Sequence, residues 1–329
     1  MARNRWWVTF TSAVKQLNRK IMSMQISISK MLAITLVFTP IIVKAQQDPM
    51  YTQYMFNTLA VNPGYAGSRG ALNITGLNRA QWVGIDGAPV TQTFFAHTPL
   101  FSKKIGVGLS VVNDKIGPIR QTMIFGDYSY TIKISENSKL AMGLKFGLNM
   151  YKTTFNDVNV NQSNDDAFTD LPIKPQPNFG FGLYYYSDQY YLGVSTPKLL
   201  QPKIEKQLDY SKIMVKRHFF IIGGYVWSIN EQLKFKPTTL IKMTSGAPVS
   251  LDLNANMLFR DKLWVGVGYR FGDSFNATME LQLTNQLKVG YSYDYTISQL
   301  TKYNHGSHEF MISYDFVFKK DKIISPRYF

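Results

Sequence analysis

The chain has 329 residues, with Lys+Arg 36, Asp+Glu 21 and a formal net charge of +15; hydrophobic residues make up 45%, aromatics 14% and charged residues 17%. The charged share is below that of an ordinary soluble enzyme, and the lack of cysteine excludes a disulfide scaffold and thiolate chemistry. Beyond residue 45 the positive charge is scattered, with small clusters such as Lys103-Lys104 and Lys319-Lys320, so there is no basic patch of the kind nucleic-acid binding requires.

About half of the net charge sits in residues 1–45, which hold Arg3, Arg5, Lys15, Arg19, Lys20, Lys30 and Lys44 and no acid. Lys30 precedes the apolar run Met31–Val43, and Val43-Lys44-Ala45 offers a small-residue cleavage site, so 1–45 reads as an export signal with Gln46 as the first mature residue. The run is too short for a transmembrane helix. The basic region before it is long for a signal, which makes Met22 or Met24 an alternative start.

Residues 46–69 are not composed like a free linker. Tyr51, Tyr54, Met55, Phe56, Leu59 and Tyr65 carry apolar surface that burial would draw out of water. Asn62-Pro63-Gly64 would break any helix begun at Tyr51. Asp48, Tyr51, Tyr54, Phe56, Asn62, Pro63 and Tyr65 are therefore candidates either for a plug docked inside or across the periplasmic mouth of a barrel, or for a periplasmic partner site.

From residue 70 to 318 the hydrophobic period is two, not 3.6. Leu140, Met142, Leu144, Phe146, Leu148 and Met150 alternate with Ala141, Gly143, Lys145, Gly147 and Asn149; Val249–Met257 and Phe275–Leu283 repeat the pattern. The second face is Gly, Asn, Ser and Gln with isolated charges, which suits a crowded, hydrated barrel interior behind a lipid-facing wall. About 14 strands of the length a tilted membrane strand needs can be placed over 70–79, 90–99, 103–113, 121–132, 138–150, 178–187, 189–197, 217–229, 231–243, 248–259, 261–272, 274–284, 286–297 and 307–318. Links after even strands are short, whereas the longest, 151–177 and 198–216, follow odd strands, as expected of a barrel with tight periplasmic turns and longer external loops. His308, Phe310, Ile312, Tyr314, Phe316 and Phe318 give the last strand an aromatic outer face before a periplasmic tail at 319–329. The expected fold is thus all-β, an antiparallel up-and-down transmembrane barrel in a bacterial outer membrane, in contact with its lipids.

The mature start, Gln47-Asp48-Pro49-Met50-Tyr51-Thr52-Gln53-Tyr54-Met55-Phe56-Asn57 leading to Asn62-Pro63-Gly64-Tyr65-Ala66-Gly67, resembles the opening of the PorP/SprF family of the type IX secretion system, found in Bacteroidetes-type bacteria. Asn78-Arg79-Ala80-Gln81-Trp82, Pro89 with Thr91, and the terminal Pro326-Arg327-Tyr328-Phe329 extend the resemblance over the mature chain. It implies an outer-membrane component of the secretion and gliding machinery. Its implied partners are periplasmic or outer-membrane secretion-system proteins and an exported surface protein that it anchors or delivers.

No catalytic arrangement is legible, and no enzyme, cofactor or metal is expected. His97, His218, His305 and His308 do not form a ligand set, Asp165, Asp166 and Asp170 lack calcium-loop spacing, and the pairs Gly106/Gly108, Gly180/Gly182 and Gly266/Gly268 precede no helix. Lys145, Asp252, Arg270, Glu280, Lys288, Asp294 and Asp315 fall on the inferred inner face. They are read as a cross-strand charge network filling the lumen, with a pore lining as the other reading. The rival function is a passive channel or hydrophobic-solute transporter.

Overall fold

A computed structural model describes residues 48–100, 103–154, 171–201, 203–204, 213–214 and 216–316. The expected signal segment 1–45, the acidic stretch 161–170 and the tail 319–329 lie outside the described residues.

Period-two alternation gives a sheet with two chemically opposite faces, and the sheet closes on itself. The strands are β1 (Leu72–Ala80), β2 (Val90–Leu100), β3 (Ile105–Ile116), β4 (Ile119–Lys133), β5 (Ser138–Thr153), β6 (Leu171–Ser187), β7 (Tyr190–Thr196), β8 (Lys203–Ile204), β9 (Ile213–Met214), β10 (His218–Tyr225), β11 (Trp227–Ser228), β12 (Leu233–Thr244), β13 (Ser250–Phe259), β14 (Leu263–Arg270), β15 (Ser274–Gln282), β16 (Leu287–Thr296) and β17 (Ser307–Phe316). Each wall strand pairs antiparallel with its sequence neighbour. β1 pairs with β17 from Leu72↔Phe316 to Ala80↔His308, and β10 with β12 from His218↔Thr244 to Gly224↔Thr238. β8 and β9 form a separate two-stranded ribbon, and β11 continues the β10 edge against β12. The result is a closed 14-stranded barrel.

Burial is inverted relative to a water-soluble protein. Leu144 and Phe146 are 57% and 62% exposed on the outer wall, while Lys145 between them is 4% exposed inside. Leu253, Val267, Phe275, Met279 and Ile312 also point outward. Rings gather near the strand ends, as in Tyr225–Trp227 and Tyr269–Phe275, with centroids 4.7 and 4.8 Å apart. An apolar outer band with aromatic flanks is what hydrocarbon and its interfaces select.

The wall is uneven. β6 has 17 residues and β7 only 7. Residues 171–177, expected in a loop, belong to β6, with Leu148↔Pro177 and Met150↔Pro175 in register. Prolines normally interrupt a ladder, but here they do not. Phe179 accepts the Leu199 N–H at 2.8 Å on the side away from β5, and Pro175 and Pro177 share its parity. Their missing N–H groups would have faced that same side, so the β5 ladder loses nothing. After Thr196 the chain leaves the wall and turns inward, where Pro197 and Lys198 are buried.

The interior is also less hydrated than the sequence reading has it. Leu77, Phe95, Val112, Met123, Phe125, Tyr184, Ile222, Trp264 and Met311 project inward and are buried. They do so because the barrel has contents.

Candidate functional site

The contents are the chain's own residues 48–69. Two short 3₁₀ turns, Thr58–Ala60 and Pro63–Tyr65, fold this segment, and the Asn62 side chain accepts the Gly64 N–H at 2.9 Å to cap the second. Gln53, Tyr54, Met55, Leu59, Asn62 and Tyr65 have almost no exposed surface. Tyr54, Met55, Leu59 and Tyr65 form one apolar cluster with the inward wall residues.

The segment is bonded around the whole wall. The Ser195 hydroxyl donates to the Val61 carbonyl at 2.7 Å, Ser129 to the Ala66 carbonyl at 2.6 Å, and the Asn62 amide to the Leu183 carbonyl at 2.9 Å. On the opposite side, the Asn254 amide donates to the Tyr54 hydroxyl at 2.9 Å. Phe56 lies against Trp264, and Lys236 Nζ sits over both rings at 5.1 and 4.9 Å, a buried cation–π contact.

The segment also has a direction. Gly67 and Ala66 meet Gly106, Pro99 and Ser129, at the end of the barrel where the tight turns lie. Asp48 meets Lys198 and His218, at the end carrying the long connections. It therefore runs through the lumen and does not merely cover the mouth near β1.

Two ionic clusters hold its first residues. The Asp48 carboxylate pairs with Lys198 Nζ and lies 3.1 Å from His218 Nδ1. Burial would raise this carboxyl, but the Lys198 ammonium and the His218 contact outweigh burial and hold it below the usual carboxylate range. Further in, Glu309 accepts the backbone N–H groups of Thr52 and Gln53 at 2.9 and 2.8 Å, and the Thr52 hydroxyl donates to Asp294. Arg79 bridges both acids, 2.7 Å from Asp294 and 3.1 Å from Glu309.

The seven inner-face charges named from sequence are placed as follows. Arg270 pairs with Asp252 at 2.9 Å and reaches Asp294 at 3.7 Å. Lys145 pairs with Asp127 at 2.8 Å, Lys288 with Glu280 at 3.9 Å, and Asp315 with Arg69 at 3.4 Å. They are distributed around the lumen, not gathered at one point. Glu309, Asp127, Arg69 and Lys236 were not singled out from the sequence, and Arg79 was named only within the run Asn78–Trp82, not as an inner-face charge. Glu309 was legible in principle, since it alternates with the outward His308 and Phe310.

Wall glycines receive the segment's other end. A Cβ on Gly143 would overlap the Gly64 nitrogen, one on Gly182 the Asn62 amide, and one on Gly106 the Ala66 carbonyl. Two of the Gly-x-Gly pairs thus supply slots for close backbone approach. Among the described residues no group of His, Cys, Asp and Glu could hold a metal ion.

Comparison with family models matches residues 43–314 to the type IX secretion system membrane protein PorP/SprF. Among solved structures, Omp33 of Acinetobacter baumannii is similar at 9% identity and a TM-score of 0.44, with 75% of this chain and 98% of that one covered. A Pseudomonas aeruginosa FadL homologue is similar at 12% identity and 0.42, covering 84% and 96%. The KdgM porin is similar at 10% and 0.35, covering 74% and 99%. No curated protein sequence matches.

Proposed function

Because the chain belongs to the PorP/SprF family of type IX secretion system membrane proteins and is an outer-membrane β-barrel, we propose that it serves that system as a self-plugged anchor. In this role it holds secretion-system proteins, or a surface protein being delivered, at the membrane, and it carries out no catalysis. The observation that supports this reading is the filled lumen: residues 48–69 bond to β4, β6 and β7 on one side and to β13, β16 and β17 on the other. A solute channel needs a continuous aqueous path, whereas here residues 48–69 occupy the lumen and Ser129, Ser195, Asn254, Asp294 and Glu309 of the wall are engaged by them. The outward surface is left to lipid and the two rims to partners.

Planar-bilayer recording of the purified full chain, paired with affinity capture from detergent-extracted membranes, tests this. The expected result is a closed barrel that co-purifies with other secretion-system components. A stable open pore, or a barrel captured alone, would overturn it in favour of a passive channel or transporter.

A further inference from the structure

The two halves of the lumenal segment are held by different chemistry. From Asn62 to Gly67 the grip is mainly steric and no carboxylate takes part. The backbone lies in slots made by Gly106, Gly143 and Gly182, and its polar bonds go to hydroxyl, amide and carbonyl groups, to the His97 ring and, from the Tyr65 hydroxyl, to Arg69. Such a fit cannot loosen by degrees, because interiors this closely packed are not continuously deformable.

From Asp48 to Gln53 the grip is mostly ionic. Asp48 is bound by Lys198 and His218, and Thr52 and Gln53 by Glu309, Asp294 and Arg79. Asp48, Pro49 and Met50 are only half-buried. Beside them lies a cavity of about 60 Å³, lined by Asp48, Tyr51, Val112, Met123, Phe125 and Lys198 among others. A turn begins at Gln53, whose carbonyl accepts the Phe56 and Asn57 N–H groups. The slotted half thus has no room to move, whereas the ionic half adjoins free space and ends at a turn.

We propose that Asp48–Gln53 is a detachable arm, hinged at Gln53-Tyr54, that swings toward the long-connection mouth while Asn62–Gly67 stays docked. The inference rests on the plug reading and adds to it which end opens and what holds it shut. Asp48 is the latch, and Lys198 and His218 are its catch. Glu309 orders the arm by accepting two successive backbone N–H groups, and Arg79 keeps that carboxylate and Asp294 compatible with burial.

The test uses the full chain in liposomes, with single cysteines as reporters, since the native chain has none. Met50→Cys reports the arm and Ala66→Cys the docked half, and heat-modifiable gel mobility verifies folding. With Asp48→Asn or Glu309→Gln added, an impermeant thiol reagent should label the arm reporter about tenfold faster and leave the docked reporter silent. In bilayers Asp48→Asn should flicker open, whereas the unsubstituted chain stays shut. Labelling of both reporters together means that the segment leaves as one body and overturns the arm. An arm reporter unmoved by both substitutions also overturns it. An unsubstituted chain that conducts steadily defeats the plug reading itself, an outcome distinct from a closed chain with a rigid arm.

Discussion

Arg79 Nη2 lies 2.7 Å from the Asp294 carboxylate, and the two side chains are 2% and 3% exposed inside the barrel. The same guanidinium reaches Glu309 and the Thr52 hydroxyl, so one cation joins β1, β16, β17 and the lumenal segment. Removing it strands the Glu309 carboxylate and leaves Asp294 only the more distant Arg270 as a cation, at 3.7 Å. Arg79→Ala should lower stability by about 3–5 kcal/mol, the scale for breaking a buried pair from one side. Arg79→Lys should recover only part of this, because an ammonium cannot present the guanidinium's planar fork of donors. Urea titration followed by gel mobility gives the ordering; equal stability of all three proteins would contradict it.

The outer wall should reject charge in a depth-dependent way. Leu144→Arg should cost ~2–4 kcal/mol if it lies at the midplane. Asn149→Arg, on the opposite face, should also be costly. Asn149 is fully buried and bonded to Gln121 and Tyr151 at 2.9 and 2.8 Å, so a longer side chain overpacks the site by roughly 1–3 kcal/mol. Asn137→Arg in an exposed turn should fall within about 0.5 kcal/mol of the parent.

Glycine slots should matter where the segment lies in them and not elsewhere. Gly143→Val should displace Pro63-Gly64 and raise conductance, because its side chain would occupy the place of the segment's backbone. Gly76→Ala meets only ordinary contacts, at 3.5 Å or more, and should leave the barrel closed. A closed Gly143→Val barrel would show that the segment can be seated without that slot.

Orientation follows from connection length and can be read on intact cells. Asp86→Cys, in the link between β1 and β2, should react with an impermeant reagent, and Asn137→Cys, in the turn between β4 and β5, should not. The reverse pattern would invert the barrel and place the Asp48 end in the periplasm.

The wall was legible in the sequence wherever alternation was clean, as at Leu140–Met150, because lipid on one side and polar neighbours on the other enforce a strict period of two. It was less legible at residues 171–177, which the sequence reading places in a long link, whereas they extend β6 and the missing donors of Pro175 and Pro177 cost no pairing with β5. The lumen was legible only one residue at a time. Alternation places Asp252 and Asp294 inside, but which charges meet depends on register and closure. Arg79 comes next to Asp294 and Glu309 only once the last strands fold back beside the first. Inward Phe95, Val112 and Met123 contradict a hydrated interior unless the barrel is known to be filled by Tyr51, Leu59 and Val61.

The bonding of residues 48–69 to both early and late strands constrains the order of assembly. Thr52 and Gln53 depend on Asp294 and Glu309, which lie more than 200 positions away. The interior therefore cannot be finished until the final two strands have arrived, and Arg79 of the first strand lacks Asp294 and Glu309 until then. Contacts of such long range make folding slow. A chain that stops before β16 would retain most of its lipid-facing wall and lose the seam with β1, both acids that neutralise Arg79, and the means of organising its own filling. Completion of the C-terminal hairpin should therefore coincide, within a single kinetic phase, with ring closure and with the interior becoming sealed.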